Sequence, residues 1–253
     1  EAQTDTSKVQ AGASYGISNL SGAPDIVAES AVVMDANTGT ILYGKEADTK
    51  RYPASITKVM TALLAVENCK MSDVITYSNA AVNGIEAGSS TAGINVGAKL
   101  TVEDSLYALM LVSANEAAAA IAEHISGSTT EFAKLMTKRA KELGCTNTQF
   151  KNPHGLPNEE HYTTAHDMAI IFDAALKNDV FRYVDSTAAY TIPATNKYGE
   201  RNCTSTNQLI NGARPYEGVY AGKTGHTAKA GRTLVTAAYR DGMDLICVIM
   251  KSD

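Results

Sequence analysis

A surplus of positive charge is the first thing this sequence lacks. Its 22 Lys and Arg stand against 27 Asp and Glu, a formal charge of -5, so no basic face is available to attract phosphates and nucleic-acid binding is disfavoured. Long apolar runs are missing too; the longest fall far below the roughly 20 residues that a membrane-spanning helix needs. Paired cysteines are absent: Cys69, Cys145, Cys203 and Cys247 are widely spaced with no CxxC, which excludes a zinc ribbon or a thioredoxin-type redox motif. Cys247 lies in Leu245-Ile246-Cys247-Val248-Ile249, the setting of a buried free thiol rather than of a disulfide. The five His have no zincin-type spacing, so no metal is expected. No leader is expected either, because Glu1-Ala2-Gln3-Thr4-Asp5 holds neither a basic nor an apolar stretch; a mature secreted chain would open this way. What is present is 253 residues, 44% hydrophobic and 19% charged: a soluble globular chain of one large domain or two small ones, with its chemistry still open.

Residues 1–24 are rich in Ser, Gly, Ala and Thr with little periodicity and read as a flexible tail or linker. Residues 30–35 and 40–44 flank Ala36-Asn37-Thr38-Gly39 as a β-hairpin, and residues 233–239 and 245–250 flank Arg240-Asp241-Gly242 as a second. Strands near both ends predict one antiparallel sheet assembled from distant parts of the chain. The middle is helical, at 56–67, 102–112, 116–125 and 130–143, the last stopping at Gly144. Thr164-x-x-Asp167 resembles a capping box and opens a helix to about Leu176. The order strands, helices, strands predicts a mixed α/β domain whose helices come mainly as an insertion.

The segment 56–67 carries apolar residues all round its axis, which marks a buried helix, yet Lys58 lies at its start one turn after Ser55. Positions i and i+3 share a helix face, so ammonium and hydroxyl are neighbours, and desolvation there would lower the lysine pKa toward what a serine's general base needs. Ser-x-x-Lys alone is weak, with about one chance match per 250 residues expected at average composition. Ser113-Ala114-Asn115 falls at a break between helical segments and could point into a cleft or simply cap a helix. Ser205-Thr206-Asn207 also fits Ser-x-Asn and serves as a decoy. Ala221-Gly222-Lys223-Thr224-Gly225-His226 lies on a predicted strand, where Lys and Thr could hold an anion; the plainer reading is an edge lysine that blocks aggregation beside a Gly bulge.

Order and spacing change the odds. Ser-x-x-Lys, Ser-Asp-Asn and Lys-Thr-Gly are the set used by class A β-lactamases and penicillin-binding proteins, and here they run as Ser55–Lys58, Ser113–Asn115 (with Ala114 at the centre) and Lys223–Gly225. From Ile26 to Met250 the chain resembles the low-molecular-mass penicillin-binding proteins, the serine-type D-alanyl-D-alanine carboxypeptidases. The resemblance includes Pro53-Ala54-Ser55-Ile56-Thr57-Lys58, Asn152-Pro153-His154-Gly155-Leu156-Pro157, Gly222-Lys223-Thr224-Gly225-His226-Thr227 and Ala230-Gly231-Arg232. It implies the β-lactamase/DD-peptidase-like fold, an antiparallel sheet flanked by helices, with 25–253 a single catalytic domain and a helical lobe at about 72–165 inserted into the sheet lobe.

The same resemblance implies a reaction without cofactor or metal. Ser55 attacks the penultimate D-Ala carbonyl of a peptidoglycan stem peptide, and Lys58 takes its proton. The backbone N–H groups of Ser55 and His226 form an oxyanion hole, Ser113 relays a proton to the departing D-Ala, and Asn115 positions Lys58 and the substrate. Lys223 supplies field, Thr224 binds the terminal carboxylate, Gly225 keeps the strand flat beside the peptide, and His226 and Thr227 line the site. His154, in a Pro-Gly-rich turn, reads as structural. The implied partners are the stem peptide and β-lactam antibiotics, the implied place is the outer face of the cytoplasmic membrane, and the implied role concerns cell wall and cell shape. Any membrane association is expected through regions outside this chain, since relatives usually continue beyond the point matching Asp253. Ala114 stands where the family often has Gly, which leaves the flanking side chains intact. The rival readings are a serine β-lactamase and a non-enzymatic penicillin-sensing or wall-binding domain. Against the first, no Glu-x-x-Leu-Asn occurs between Asn115 and Lys223; against the second, every chemical residue is present.

Overall fold

The computed structural model describes residues 25–253, so the segment 1–24 expected to be a loose tail lies outside the described residues. In chain order the elements are β1 (Ser30–Asp35), β2 (Ile41–Lys45), a 3-10 turn (Ala54–Thr57), α1 (Lys58–Asn68), β3 (Val74–Thr76), α2 (Asn79–Asn83) and β4 (Lys99–Thr101). They continue with α3 (Val102–Leu111), α4 (Asn115–Ser126), α5 (Thr129–Glu142), α6 (Ala165–Leu176), α7 (Asp179–Asp185), β5 (Ala189–Ile192), β6 (Arg201–Thr204), β7 (Val219–Thr227), β8 (Gly231–Arg240) and β9 (Met243–Ser252). The chain is a mixed α/β fold built on an antiparallel sheet.

Five strands pair in the order β2-β1-β9-β8-β7, every contact antiparallel. The sheet therefore joins the two predicted hairpins through β1 and β9, as expected from apolar strands near both ends of the chain. Alternate residues Ile246, Val248 and Met250 of β9 are buried, the period of two that one covered face requires. Helix α6 packs on β1, β8 and β9, and α1 packs on α6. The Thr164 hydroxyl caps α6 by accepting the Asp167 N–H at 3.0 Å. The Asp167 carboxylate departs from a capping box, however: it accepts from the Asn147 N–H and the Thr148 hydroxyl and so ties the preceding loop to the helix.

The first seven residues of α1 after Lys58 are all buried, among them Val59, Met60, Leu63 and Leu64. Such side chains contribute about 1.5–3 kcal/mol each on burial, a surplus large enough to hold one amine out of water at a cost of several kcal/mol. The run Ala117–Ala120 of α4 is buried as well, and these small side chains let α4 pack close against α1, α3 and α5.

Several short elements carried no readable period: α2, α7 and the two-stranded ribbons β3-β4 and β5-β6. The expected helix at 56–67 begins two residues later, after a separate 3-10 turn. All four cysteines are free thiols; Cys145 and Cys203 are buried, while Cys247, expected to be buried, is half-buried on β9. Among the described residues no helix is long and apolar enough to cross a membrane.

Candidate active site

Ser55 sits in the 3-10 turn, not at the cap of an α-helix. Because side chains three apart eclipse in that geometry, Ser55 and Lys58 stand one above the other more directly than on an α-helical face. The turn is strained: Ala54 takes φ +52°, a left-handed conformation rare for a residue with a side chain. Its neighbours hold it there. Gly155 has φ +92°, and a Cβ on it would lie 1.9 Å from the Ala54 carbonyl oxygen, so only glycine lets the 152–157 loop close on the turn. Three buried threonines add ties: Thr233 donates to the Pro53 carbonyl at 2.9 Å, Thr61 to the Pro153 carbonyl at 2.6 Å, and Thr57 meets His161 Nε2 at 2.9 Å. His161 Nδ1 accepts the Lys151 N–H, which puts the ring proton on Nε2 and makes that nitrogen the donor to Thr57. Burial pushes the His161 pKa down to about 3, so the ring is neutral.

Lys58 is fully buried, with Nζ 3.1 Å from Ser55 Oγ, 2.7 Å from Asn115 Oδ1 and 2.8 Å from the His154 carbonyl oxygen. Two of these neighbours are carbonyl oxygens, which only accept. A neutral amine has two N–H donors and one lone pair, so donation to both carbonyls turns the lone pair toward the Ser55 hydroxyl. Burial holds the Lys58 pKa well below the ordinary lysine value, the positive Lys223 lowers it further, and Glu116 opposes them. A neutral amine so placed can accept a proton from the Ser55 hydroxyl. His154 contributes its carbonyl; its ring accepts the Leu156 N–H through Nδ1, and burial first, then Lys58 and His161, bring its pKa to about 3. The side chain therefore shapes the loop, as expected of a turn residue.

A cleft of about 910 Å³ opens above Ser55. Ser113 and Asn115 form one wall, at the break between α3 and α4 where the sequence pattern put them. Ser113 is strained at φ +60°, and its hydroxyl is buried with no hydrogen-bond partner, a donor and acceptor left open toward the cleft. The opposite wall is β7, an edge strand of the sheet, with Thr224, Gly225, His226 and Thr227 lining the cleft. An edge strand leaves N–H and C=O groups unpaired, which suits an extended peptide laid beside it. All three sequence motifs thus meet at one cleft.

A sequence model of the D-alanyl-D-alanine carboxypeptidase family matches residues 18–253. The chain belongs to this family. It is 39% identical to the D-alanyl-D-alanine carboxypeptidase DacF of Bacillus subtilis over 88% of its own length, and 33% identical to DacB2 of Mycobacterium tuberculosis over 90%. It spans 57% of the Bacillus protein's length and 76% of the mycobacterial one's. Among solved structures, a D-alanyl-D-alanine carboxypeptidase of Mycobacterium tuberculosis superposes with a TM-score of 0.86 at 30% identity, covering 94% of this chain and 88% of that one. The Streptomyces K15 DD-transpeptidase superposes at 0.84 and 35% identity, covering 90% and 91%.

In this family member Lys223 departs from both sequence expectations of an exposed cation. It is 1% exposed, behind β7, and Nζ donates to the Thr224 carbonyl at 2.9 Å. Burial lowers its pKa to about 8, partly offset by Asp185, a buried carboxyl at the end of α7 whose own pKa burial raises. Lys223 can therefore act on the cleft through its field but does not reach an anion there directly. Gly225 is also required by packing: a Cβ on it would lie 2.8 Å from the Ser55 nitrogen and 2.4 Å from Thr233 Oγ1, so the glycine makes room for the backbone of Ser55.

Several cleft residues carry no mark in the sequence spacing. Two residues of the decoy triplet line the cleft: Thr206 Oγ1 lies 2.9 Å from Thr224 Oγ1, and Asn207 Nδ2 donates to the Gly222 carbonyl at 3.2 Å. Buried Glu116 accepts from the Thr91 hydroxyl and the Ala92 N–H, while the Asn115 N–H donates to the Ser90 carbonyl, so α4 fixes the loop that forms the cleft's outer rim. Among the described residues that line the cleft Glu86 is the one carboxylate, and no three His, Cys, Asp or Glu converge as a metal site requires.

Proposed function

We propose that the chain is the catalytic unit of a serine D-Ala-D-Ala carboxypeptidase that removes the terminal D-Ala from peptidoglycan stem peptides. Residues 25–253 act as one unit, with the helical segment at about 72–165 inserted into the sheet portion. The substrate belongs to the cell wall, so the enzyme works outside the cytoplasmic membrane. The observation that carries this reading is the environment of Lys58, whose two carbonyl partners aim a neutral amine at Ser55.

The stem peptide lies along the β7 edge with its terminal carboxylate at the paired hydroxyls of Thr224 and Thr206. Ser55 Oγ adds to the penultimate D-Ala carbonyl as Lys58 Nζ takes its proton. The negative oxygen that forms is met by the backbone N–H groups of Ser55 and His226; such a donor contributes about 3–4 kcal/mol in comparable sites. The proton passes from Lys58 through the open Ser113 hydroxyl to the leaving D-Ala nitrogen as the C–N bond breaks. Asn115, its Oδ1 engaged by Lys58, keeps its amide NH2 for the substrate. Water then adds to the ester, Lys58 again takes the proton, and Ser55 leaves with it.

Deacylation is the weak step for a bulky acyl group. The loop beside Ser55 presents Gly155, Leu156 and Pro157 to the cleft, while its carboxylates are elsewhere: Glu160 pairs with Lys151 at 2.9 Å and Glu159 lies outside the cleft lining. Among the described residues no second base stands beside Ser55 on that side. A labelled penicillin is therefore expected to form a long-lived adduct, seen by intact mass and mapped to Ser55, and Ser55→Ala is expected to form none. Rapid turnover without an adduct, or labelling that survives Ser55→Ala, contradicts this reading.

A further inference from the structure

The chain is acidic overall, yet a second cavity of about 400 Å³ is lined by four of its cations, Lys50, Arg51, Lys229 and Lys251, together with Tyr52 and Tyr162. Glu159 is the one acid in its lining. Arg51 is already engaged, paired with Glu29 and donating from Nε to Ser30 Oγ at 3.1 Å. The three lysines have no carboxylate partner among the described residues. Lys50 Nζ sits 4.4 Å from the Tyr162 ring centroid, Lys229 Nζ 5.8 Å from that of Tyr52, and Lys251 Nζ donates to the Lys229 carbonyl at 3.3 Å. Three ammonium groups without a carboxylate partner line one cavity and two of them stand near ring faces, so the cavity suits an anion.

Its position narrows which anion. Lys229 belongs to the walls of both this cavity and the catalytic cleft. With the substrate's terminal carboxylate at Thr224 and its reacting carbonyl at Ser55, the rest of the peptide runs toward the end of β7 at Thr227 and the turn that carries Lys229. Two to three extended residues cover roughly 7–10 Å, enough to follow β7 from Gly225 past Thr227. A stem peptide carries a free carboxylate about that far upstream, on its γ-linked D-Glu.

We propose that this cavity is an anion subsite for that upstream carboxylate, held by Lys50, Lys229 and Lys251, so that the substrate is read at both ends of β7. The inference rests on the carboxypeptidase reading above. Two peptides of equal length test it: acetyl-L-Ala-γ-D-Glu-(Nε-acetyl)-L-Lys-D-Ala-D-Ala and its counterpart with the glutamyl carboxylate as a carboxamide. The carboxylate peptide is expected to show a kcat/KM about threefold to tenfold higher, through KM, with the preference shrinking as salt is added. Lys50→Gln/Lys251→Gln should bring the preference close to unity and leave turnover of the carboxamide peptide unchanged. Equal turnover of both peptides by the unaltered protein, or a preference that survives the double substitution, overturns the subsite. Calorimetry on Ser55→Ala protein separates this from the parent reading: tighter binding of the carboxylate peptide supports the subsite without chemistry, and equal affinities reject it. Failure of the unaltered protein to release D-Ala from either peptide counts against the carboxypeptidase reading instead.

Discussion

At the residue scale the proposed mechanism turns on the protonation of two buried lysines. In that mechanism Lys58 is neutral when it takes the Ser55 proton, so acylation should rise as pH climbs through its lowered pKa. Lys223 is charged when it supplies its field, so acylation should fall as pH passes about 8, where Lys223 loses its proton. The rate of penicillin acylation against pH should therefore be bell-shaped. Asp185 favours the charged form of Lys223, so Asp185→Asn should move the alkaline limb to lower pH and leave the fold intact; an unmoved limb would detach that limb from Lys223. The two lysines differ in how far the sequence disclosed them. Ser55 and Lys58 share a local spacing, and a lysine at the edge of an apolar segment is anomalous by itself. Asp185, Thr206 and His161 have no such mark, because each acts through a partner far along the chain: Lys223, Thr224 and Thr57. The decoy Ser205-Thr206-Asn207 misled for the same reason, since its place in the cleft depends on tertiary packing beside β7.

At the element scale the informative unit is the strained 3-10 turn rather than the helix after it. A period of 3.6 anticipated a helix from 56, and it begins at Lys58 because Ala54 is forced left-handed under the 152–157 loop. Gly155 is the keystone of that contact. Gly155→Ala places a Cβ 1.9 Å from the Ala54 carbonyl at a φ of +92°, and strain at such a backbone position alone costs about 1–3 kcal/mol. A melting temperature lower by at least about 2–4 °C is expected. Penicillin acylation should fall by more than the fraction unfolded, because the turn that carries Ser55 moves; unchanged acylation and melting would contradict this role for the loop. The long strands and helices were legible from periodicity, while α2, α7 and the two ribbons are too short to display a period and owe their form to neighbours.

At the scale of the whole molecule the site is a product of sheet closure. Ser55 and Lys58 come from the first quarter of the chain, Ser113 and Asn115 from its middle, and β7 from near its end, and β1 meets β9 to bring them together. The sequence disclosed this architecture through its two hairpins, but not the burial of Lys223 or the second cavity, since both arise where distant segments converge. A site assembled in this way should be all or none. Release of D-Ala from diacetyl-L-Lys-D-Ala-D-Ala, measured beside penicillin labelling on the same preparation, tests it most directly. Steady D-Ala release is expected, blocked by penicillin in proportion to the labelled fraction and abolished by Ser55→Ala. A folded preparation that takes penicillin at Ser55 yet releases no D-Ala above background would contradict it.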